Sequence, residues 1–204
     1  ESKKYSFYVE GYTRRIVHFY SSQAVDLSLG HTMRFNKRLS VTQRLNIMPR
    51  FNNIGFTTID DNGDVVFARR KRNTVENILS AKYNFTNMMG ITFRMRHYLS
   101  TVDNKDFFTL QTNGLLVARP GFNKNVNQNV NIFNIDMVYT WQFAPGSFIN
   151  VVWKNSIFKS GNIIERDYFK NLGNTLDTDQ NNNISLKVIY FLDYLDIKKW
   201  GKKK

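Results

Sequence analysis

Apolar and polar residues alternate along much of this chain, and that period of two restricts its fold more than any other feature. Residues 183–195 show it most clearly, with Ile184, Leu186, Val188, Tyr190, Leu192 and Tyr194 on one side and Ser185, Lys187, Ile189, Phe191 and Asp193 on the other. The apolar side is long enough for a strand that crosses an outer membrane, for which about 9–11 residues suffice. A half-buried strand of a soluble sheet is the alternative interpretation.

About eight segments alternate in this way, and the connections between them are of two lengths. Short turns at residues 36–38, 86–88 and 144–147 alternate with long connections at residues 52–73, 101–129 and 159–182. This asymmetry is typical of outer-membrane barrels, in which the short turns are periplasmic and the long loops extracellular. We therefore predict an all-β, antiparallel transmembrane β-barrel of the outer-membrane type over residues 1–204.

Local signals refine three of the connections. In residues 60–64, Asn62-Gly63 suits a hairpin turn with positive φ angles. Pro49 cannot donate to a strand ladder, so we expect a bulge or a local loss of pairing there. In the loop 159–182 we expect a helical turn from Glu165 to Leu172, stopped by Gly173, which docks and folds over the barrel mouth or else stays mobile.

The composition is consistent with a membrane barrel and argues against a nucleic-acid-binding protein. The 204 residues include no cysteine, 15% are aromatic, and no stretch approaches the roughly 18 consecutive apolar residues of a membrane helix. The net charge is +13, but the basic residues are interleaved with apolar ones instead of forming one block. We therefore expect no nucleic-acid partner.

The alternation assigns residues to the two sides of the barrel wall. We predict that ten side chains face lipid: Leu29, Leu45, Phe93, Met137, Tyr139, Trp141, Val151, Trp153, Val188 and Tyr190. We predict that ten others line the lumen: Arg34, Arg44, Arg50, Glu76, Lys82, Arg94, Arg96, Asp136, Lys154 and Lys187. So many long charged groups would crowd a barrel of eight strands, so we expect these to be the C-terminal strands of a larger barrel.

The predicted lumen charges leave two interpretations open. They could form an internal lattice of ion pairs, or they could attract anions along a path. The basic run at residues 69–72 could meet phosphates of lipopolysaccharide, although a solvated charge run is the commoner explanation. The partners expected are outer-membrane lipid and lipopolysaccharide, and protein partners in an outer-membrane complex are compatible with this assignment.

No enzyme signature is evident, so we predict no catalysis and no cofactor. His18, His31 and His97 lack a local motif that would orient a catalytic base, and His31 and His97 fall in the apolar register, which favours interfacial positions. The run 177–181 copies the opening of a calcium loop but lacks its glycine and glutamate, and residues 60–64 suit a turn better. We therefore predict no metal site.

The C-terminal third carries a resemblance. Phe143-Ala144-Pro145-Gly146-Ser147, Val151-Val152-Trp153-Lys154, Asp167-Tyr168-Phe169 and residues 182–194 resemble a family of Bacteroidota proteins that join a domain similar to family-9 carbohydrate-binding modules to an outer-membrane-type barrel of unassigned function. The resemblance implies the C-terminal part of that barrel and transfers no catalytic or sugar-binding residue.

The predicted function is therefore that of a Gram-negative, porin-like outer-membrane protein, either a channel or a scaffold for surface or periplasmic partners. The alternative is a soluble β-barrel that binds a small or carbohydrate ligand inside. The two differ in polarity, because a soluble barrel places its apolar face inside.

Overall fold

The computed structural model describes residues 4–17 and 20–192, so the predictions for His18, Asp193, Tyr194 and Leu195 lie outside the described residues. The fold is all-β with one short helix. The elements are β1 (Tyr5–Ile16), β2 (Ser22–Arg34), β3 (Leu39–Ile59), β4 (Val65–Thr86), β5 (Met89–Leu110), β6 (Leu116–Ala118), β7 (Gln128–Ala144), β8 (Ser147–Gly161), α1 (Tyr168–Leu176) and β9 (Gln180–Ile189).

The strands form one antiparallel sheet in the order β1-β2-β3-β4-β5-β7-β8-β9, and the short β6 pairs with β5 alone. The prediction of an all-β antiparallel fold is therefore confirmed. The sheet is not closed, because no described residue of β1 pairs with β9. Every residue of both edge strands is exposed.

The strands are longer than the alternation predicts. β3, β4 and β5 have 21, 22 and 22 residues, so much of segments 52–73 and 101–129, expected as long loops, is strand. The hairpin turn predicted at residues 60–64 joins β3 to β4 as expected. The full length of the strands was not predicted, because apolar residues no longer recur on one side there. The connection 162–179 keeps the expected irregular character apart from α1.

The turns divide the sheet into a lower end and an upper end. The lower end holds the predicted short turns, which lie between β2 and β3, between β4 and β5, and between β7 and β8. At the upper end, the hairpin of β3 and β4 has a single positive φ, 84° at Gly63, instead of two. Asp60 accepts the Gly63 N–H and donates its own to the Asp64 carbonyl, the pattern of a three-residue loop that needs only one such angle.

Pro49 interrupts the ladder as expected, but the bulge lies further along β3. The pairing of β2 with β3 passes from Leu27 and Ile47 to Ala24 and Arg50 without including Pro49. Pro49 has no N–H to donate to Val25 at the same level of β2, and the Arg50 side chain donates instead, from Nη1 to the Val25 carbonyl at 2.8 Å. The register shift against β4 follows Arg50, where Asn52 has a φ of 50°.

Helix α1 begins and ends later than predicted and runs through Gly173. Asp167 caps its first turn by accepting the Lys170 N–H at 2.7 Å, and Asp177 is its C-cap. Gly173 does not end the helix because its N–H and carbonyl lie within the helical ladder, and its carbonyl accepts the Asp177 N–H. In the part of the chain that the structure describes, no helix has the length and apolar character needed to cross a membrane.

Candidate functional site: two faces of one sheet

The pairing registers place the predicted lipid-facing residues on one side of the sheet, here called the apolar face. Leu29 lies opposite Leu45, Phe93 opposite Met137, and Val151 opposite both Tyr139 and Leu186. The remaining residues of that prediction lie on the same face: Trp141 opposite Ile149, Trp153 opposite Met137, and Val188 opposite Ile149. Tyr190 follows β9 and its ring stacks on Phe143 at 6.1 Å.

On β4, β5, β7 and β8 this face carries a continuous apolar run of nearly constant height, here called the apolar band, and a separate apolar group that includes Phe67 and Phe108 lies higher on the sheet. The band runs from Val75 to Phe85 in β4, from Met89 to Leu99 in β5, from Phe133 to Phe143 in β7 and from Ile149 to Ile157 in β8. Each run is about 9–11 residues, the length with which a tilted strand crosses a hydrocarbon core. Above the band the same face turns polar, with Asn73, Thr101, Asn131 and Lys159 as the next residues.

Aromatic rings line the lower edge of the apolar band. Tyr83 and Phe85 lie 4.9 Å apart, Phe85 and Tyr139 6.4 Å apart, and Trp141 and Phe143 6.0 Å apart. Aromatic rings with one apolar and one polar side are enriched where a membrane meets water. The lower edge of the apolar band therefore has the composition of a membrane interface.

The predicted lumen-lining residues all lie on the opposite side, here called the charged face. The registers pair Arg34 with Ser40, Arg44 with Gly30, Arg50 with Arg72, Glu76 with Tyr98, Lys82 with Thr92, Arg94 with Asp136, Arg96 with Asn134, Asp136 with Lys154, and Lys187 with Asn150. Most of these side chains are cationic, so the face carries a large positive excess.

Two ion pairs neutralise only part of that charge. Arg50 Nη2 lies 2.7 Å from Asp26 Oδ1, and Arg96 Nη1 lies 3.9 Å from Glu76 Oε1. Within the described residues, Arg44, Lys82, Arg94, Lys154 and Lys187 form no ion pair. Arg94, Arg96 and Lys154 border a polar depression of about 380 Å³ with Asn134 and Asp136. The face therefore resembles an anion-attracting surface more than a lattice of ion pairs.

The basic run at residues 69–72 is divided between the two faces. Arg69 pairs with Asp106 and lies over the Tyr20 ring, and Lys71 lies over the Phe51 ring. Arg70 lies on the charged face, where it crosses Gly55 and donates to Asn53 at 2.9 Å. Three of the four side chains in the run therefore contact other groups of the protein, and the run does not form a single cationic patch.

A buried polar cluster, which the alternation of single strands does not predict, connects α1 to the apolar face at the upper margin of the apolar band. Asn171 accepts hydrogen bonds from Asn129 and Asn131 at 3.0 and 3.1 Å, and Asn131 bonds to His97 at 3.2 Å. Tyr168 accepts from Asn77 at 3.3 Å and its ring lies 5.1 Å from that of His97.

His97 is fully buried in this cluster instead of lying at an interface as expected, and His31 stacks on Tyr5 on the same face. The sequence contains one signal for this cluster. The spacing of Tyr168, Asn171 and Thr175 places these polar residues on one side of a helix, the side that docks on the sheet. The loop docks as expected, but on the apolar face and not over the charged face.

Charged groups in the upper connections are tied to one another. The Lys170 ammonium holds the pKa of the Glu165 carboxyl below its usual range, and Glu165 in turn raises the pKa of Lys170. The Arg119 guanidinium lowers the pKa of Asp60, whose carboxylate also accepts the N–H groups of Asn62 and Asp64 at 2.9 Å. These bonds explain residues 60–64 as a turn, and no cluster of three metal-ligating side chains occurs among the described residues.

These features define an all-β protein with one open, nine-stranded antiparallel sheet, an apolar face and a charged face. The chain belongs to the family described as domain of unknown function (DUF5916), which matches residues 1–201. No curated protein and no solved structure matches the chain.

Proposed function

We propose that this chain forms part of the wall of a transmembrane β-barrel in the outer membrane of a Gram-negative bacterium. The apolar band contacts lipid and the charged face lines an aqueous interior. The observation that carries the proposal is the constant height of the apolar band across successive strands, with aromatic rings at its lower edge. A soluble sheet has no physical reason to end its continuous apolar run at membrane thickness on strand after strand.

Exposure supports the same assignment. Ile184, Leu186 and Val188 are 74%, 65% and 57% exposed on the apolar face of β9. Contiguous apolar patches of this kind are rare on soluble monomers and mark surfaces that meet lipid or another protein. In a lipid bilayer these apolar side chains would contact acyl chains instead of water.

The exposed edges of β1 and β9 support a larger barrel. Their unpaired backbone groups could not remain unsatisfied within lipid, so a membrane-spanning sheet must be closed, and further strands between β1 and β9 would close it. The resemblance to Bacteroidota proteins with a family-9-like carbohydrate-binding domain stays a prediction, and so does the placement of the short turns in the periplasm.

The charged face supports a channel for anions more than a purely structural wall. The cations of this face outnumber its ion pairs, so the face as a whole attracts anions. Channels select ions by the charged side chains that line the pore. A scaffold for protein partners remains the second candidate, and the open upper strands provide its surface. Neither function uses catalysis.

Substitution of adjacent valines tests the placement of the two faces. Val151→Arg puts a charge on the apolar face, and its cost near the bilayer midplane is about 2–4 kcal/mol. Val152→Arg is the matched control, since Val152 lies opposite Val138 and Ser185 on the charged face. We expect Val151→Arg, like Leu45→Arg, to reduce folding into lipid vesicles, measured by heat-dependent gel mobility, while Val152→Arg folds normally.

Equal folding of both valine variants would contradict the proposed placement. So would a stronger defect in Val152→Arg, because the charged face would then be the one in contact with lipid or a dry core.

A further inference from the structure

The amphipathic character of α1 is inverted relative to a helix of a soluble protein. Asn171 and Thr175 are 1% and 0% exposed and face the sheet, whereas Phe169 is 78% exposed. Phe169, Leu172 and Leu176 follow one another at spacings of three and four residues, which places them along one side of the helix. A surface helix in water normally turns such a stripe toward the protein core.

Hydrogen bonds fix this orientation. Asn171 Nδ2 donates to the carbonyls of Glu165 and Asp167 at 2.8 and 2.9 Å while its Oδ1 accepts from the sheet. Thr175 Oγ1 donates to the Asn171 carbonyl at 2.7 Å, and Lys159 Nζ donates to the Asn174 carbonyl at 2.7 Å. Rotating the apolar stripe onto the sheet would break the buried bonds of Asn171, so the exposed stripe is a consequence of the polar contacts.

The helix lies at the upper margin of the apolar band. Its contacts Asn77 and His97 are in the same cross-strand row as Phe133 and Ile157, the last apolar residues of β7 and β8. Asn131 and Asn129 are the next polar positions above that row. The exposed stripe of α1 therefore continues the apolar surface of the band at the level where the band ends.

We propose that α1 is an interfacial helix, which lies against the outer surface of the sheet and inserts Phe169 and Leu176 into the outer leaflet of the surrounding membrane. This inference rests on the proposed function and assigns a lipid contact to a segment outside the membrane-crossing strands. Short amphipathic helices bind at this depth, with the apolar side in the boundary between headgroups and acyl chains. Ile163, which is 81% exposed and precedes the helix, extends the same contact.

The charges around α1 agree with a position at the headgroup level. Arg166 is 86% exposed on its side chain and Lys170 66% exposed. Arg166 lies 3.9 Å from Asp103, and Lys170 lies 2.6 Å from Glu165, so both cations are anchored at the protein surface while their outer sides are open. Cations on the polar side and aromatic or leucine side chains on the other are the composition of helices that lie in a membrane interface.

Site-specific fluorescence tests this inference, because the chain has no cysteine and single cysteines can be labelled selectively. Phe169→Cys and Leu176→Cys place a nitrobenzoxadiazole probe on the apolar stripe. Asn174→Cys is the matched control, since Asn174 lies on the opposite side of the same helix. Val151→Cys on the apolar band reports separately on the proposed function.

Each labelled protein is reconstituted in vesicles of brominated phosphatidylcholine, and iodide is the aqueous quencher. We expect brominated lipid to remove most of the probe signal at positions 169, 176 and 151, and iodide to remove it at position 174. Quenching by lipid at 151 but by iodide at 169 and 176 would overturn the interfacial helix and leave the barrel intact. Protection of 169 and 176 from both quenchers would also overturn it, because a protein or a second copy would then cover α1. Failure of lipid quenching at 151 would contradict the proposed function itself.

Discussion

Asn171 is the residue on which the position of α1 most depends. Its side chain uses both its oxygen and its nitrogen, accepting from two asparagines of β7 and donating to two carbonyls that precede the helix. A buried amide that satisfies so many partners fixes one orientation, because every alternative leaves polar groups without bonds.

Replacing Asn171 by alanine should release the connection between β8 and β9. The change leaves the Asn129 and Asn131 amides without their acceptor, and each buried unsatisfied group costs about 1–3 kcal/mol. We expect Asn171→Ala to make residues 162–179 susceptible to protease while the strands stay resistant. Asn174→Ala, which keeps the backbone carbonyl that Lys159 uses, should remain as resistant as the unmodified protein. Equal resistance of the two variants would mean that other contacts hold the helix.

At the scale of the element, the alternation of single strands was sufficient to place residues on the two faces. Leu45 and Val151 share the apolar face, and Arg44 and Lys154 the charged face, because a period of two fixes the side of every residue once a strand is recognised. The extensions of β3, β4 and β5 above the apolar band could not be recognised in this way. There neighbouring residues on opposite faces are both apolar, as at Val66, which is fully buried, and Phe67, so the sequence no longer alternates.

Helix α1 shows a different limit of the sequence. Gly173 suggested an end to the helix, but local propensity is weak against the contacts that hold Asn171 and Thr175 to the sheet. Those contacts join residues about forty positions apart, such as Asn131 and Asn171. The pattern of residues within either segment cannot predict a contact between two segments so far apart in the chain.

The cations of β5 and β8 should determine ion preference if the charged face lines a channel. Arg94 and Lys154 flank Asp136 across three neighbouring strands and form no ion pair among the described residues. We expect Arg94→Glu combined with Lys154→Glu to shift the reversal potential in planar bilayers toward cation preference. Arg166→Glu, a cation outside the charged face, is the control and should leave the reversal potential unchanged. An unchanged potential in the double variant would favour a scaffold over a channel.

At the scale of the whole molecule, the all-β antiparallel order was predictable because each short turn joins two alternating segments. Closure was not, since it depends on what pairs with β1 and β9, and neither strand carries that information in its own alternation. The expectation of a larger barrel rests on a charged face whose long side chains would crowd a barrel of eight strands. The open sheet adds two exposed edges that further strands would satisfy.

A cysteine scan along β7, from Gln128 to Phe143, tests whether the sheet separates lipid from water. Each labelled variant is reconstituted and quenched in turn by brominated lipid and by iodide. We predict lipid quenching at alternate residues from Ile135 to Phe143, aqueous quenching at the residues between them, and loss of lipid quenching from Phe133 upward, where α1 covers the sheet. Uniform aqueous quenching along β7, or lipid quenching at Asn134 and Asp136 instead, would contradict the account.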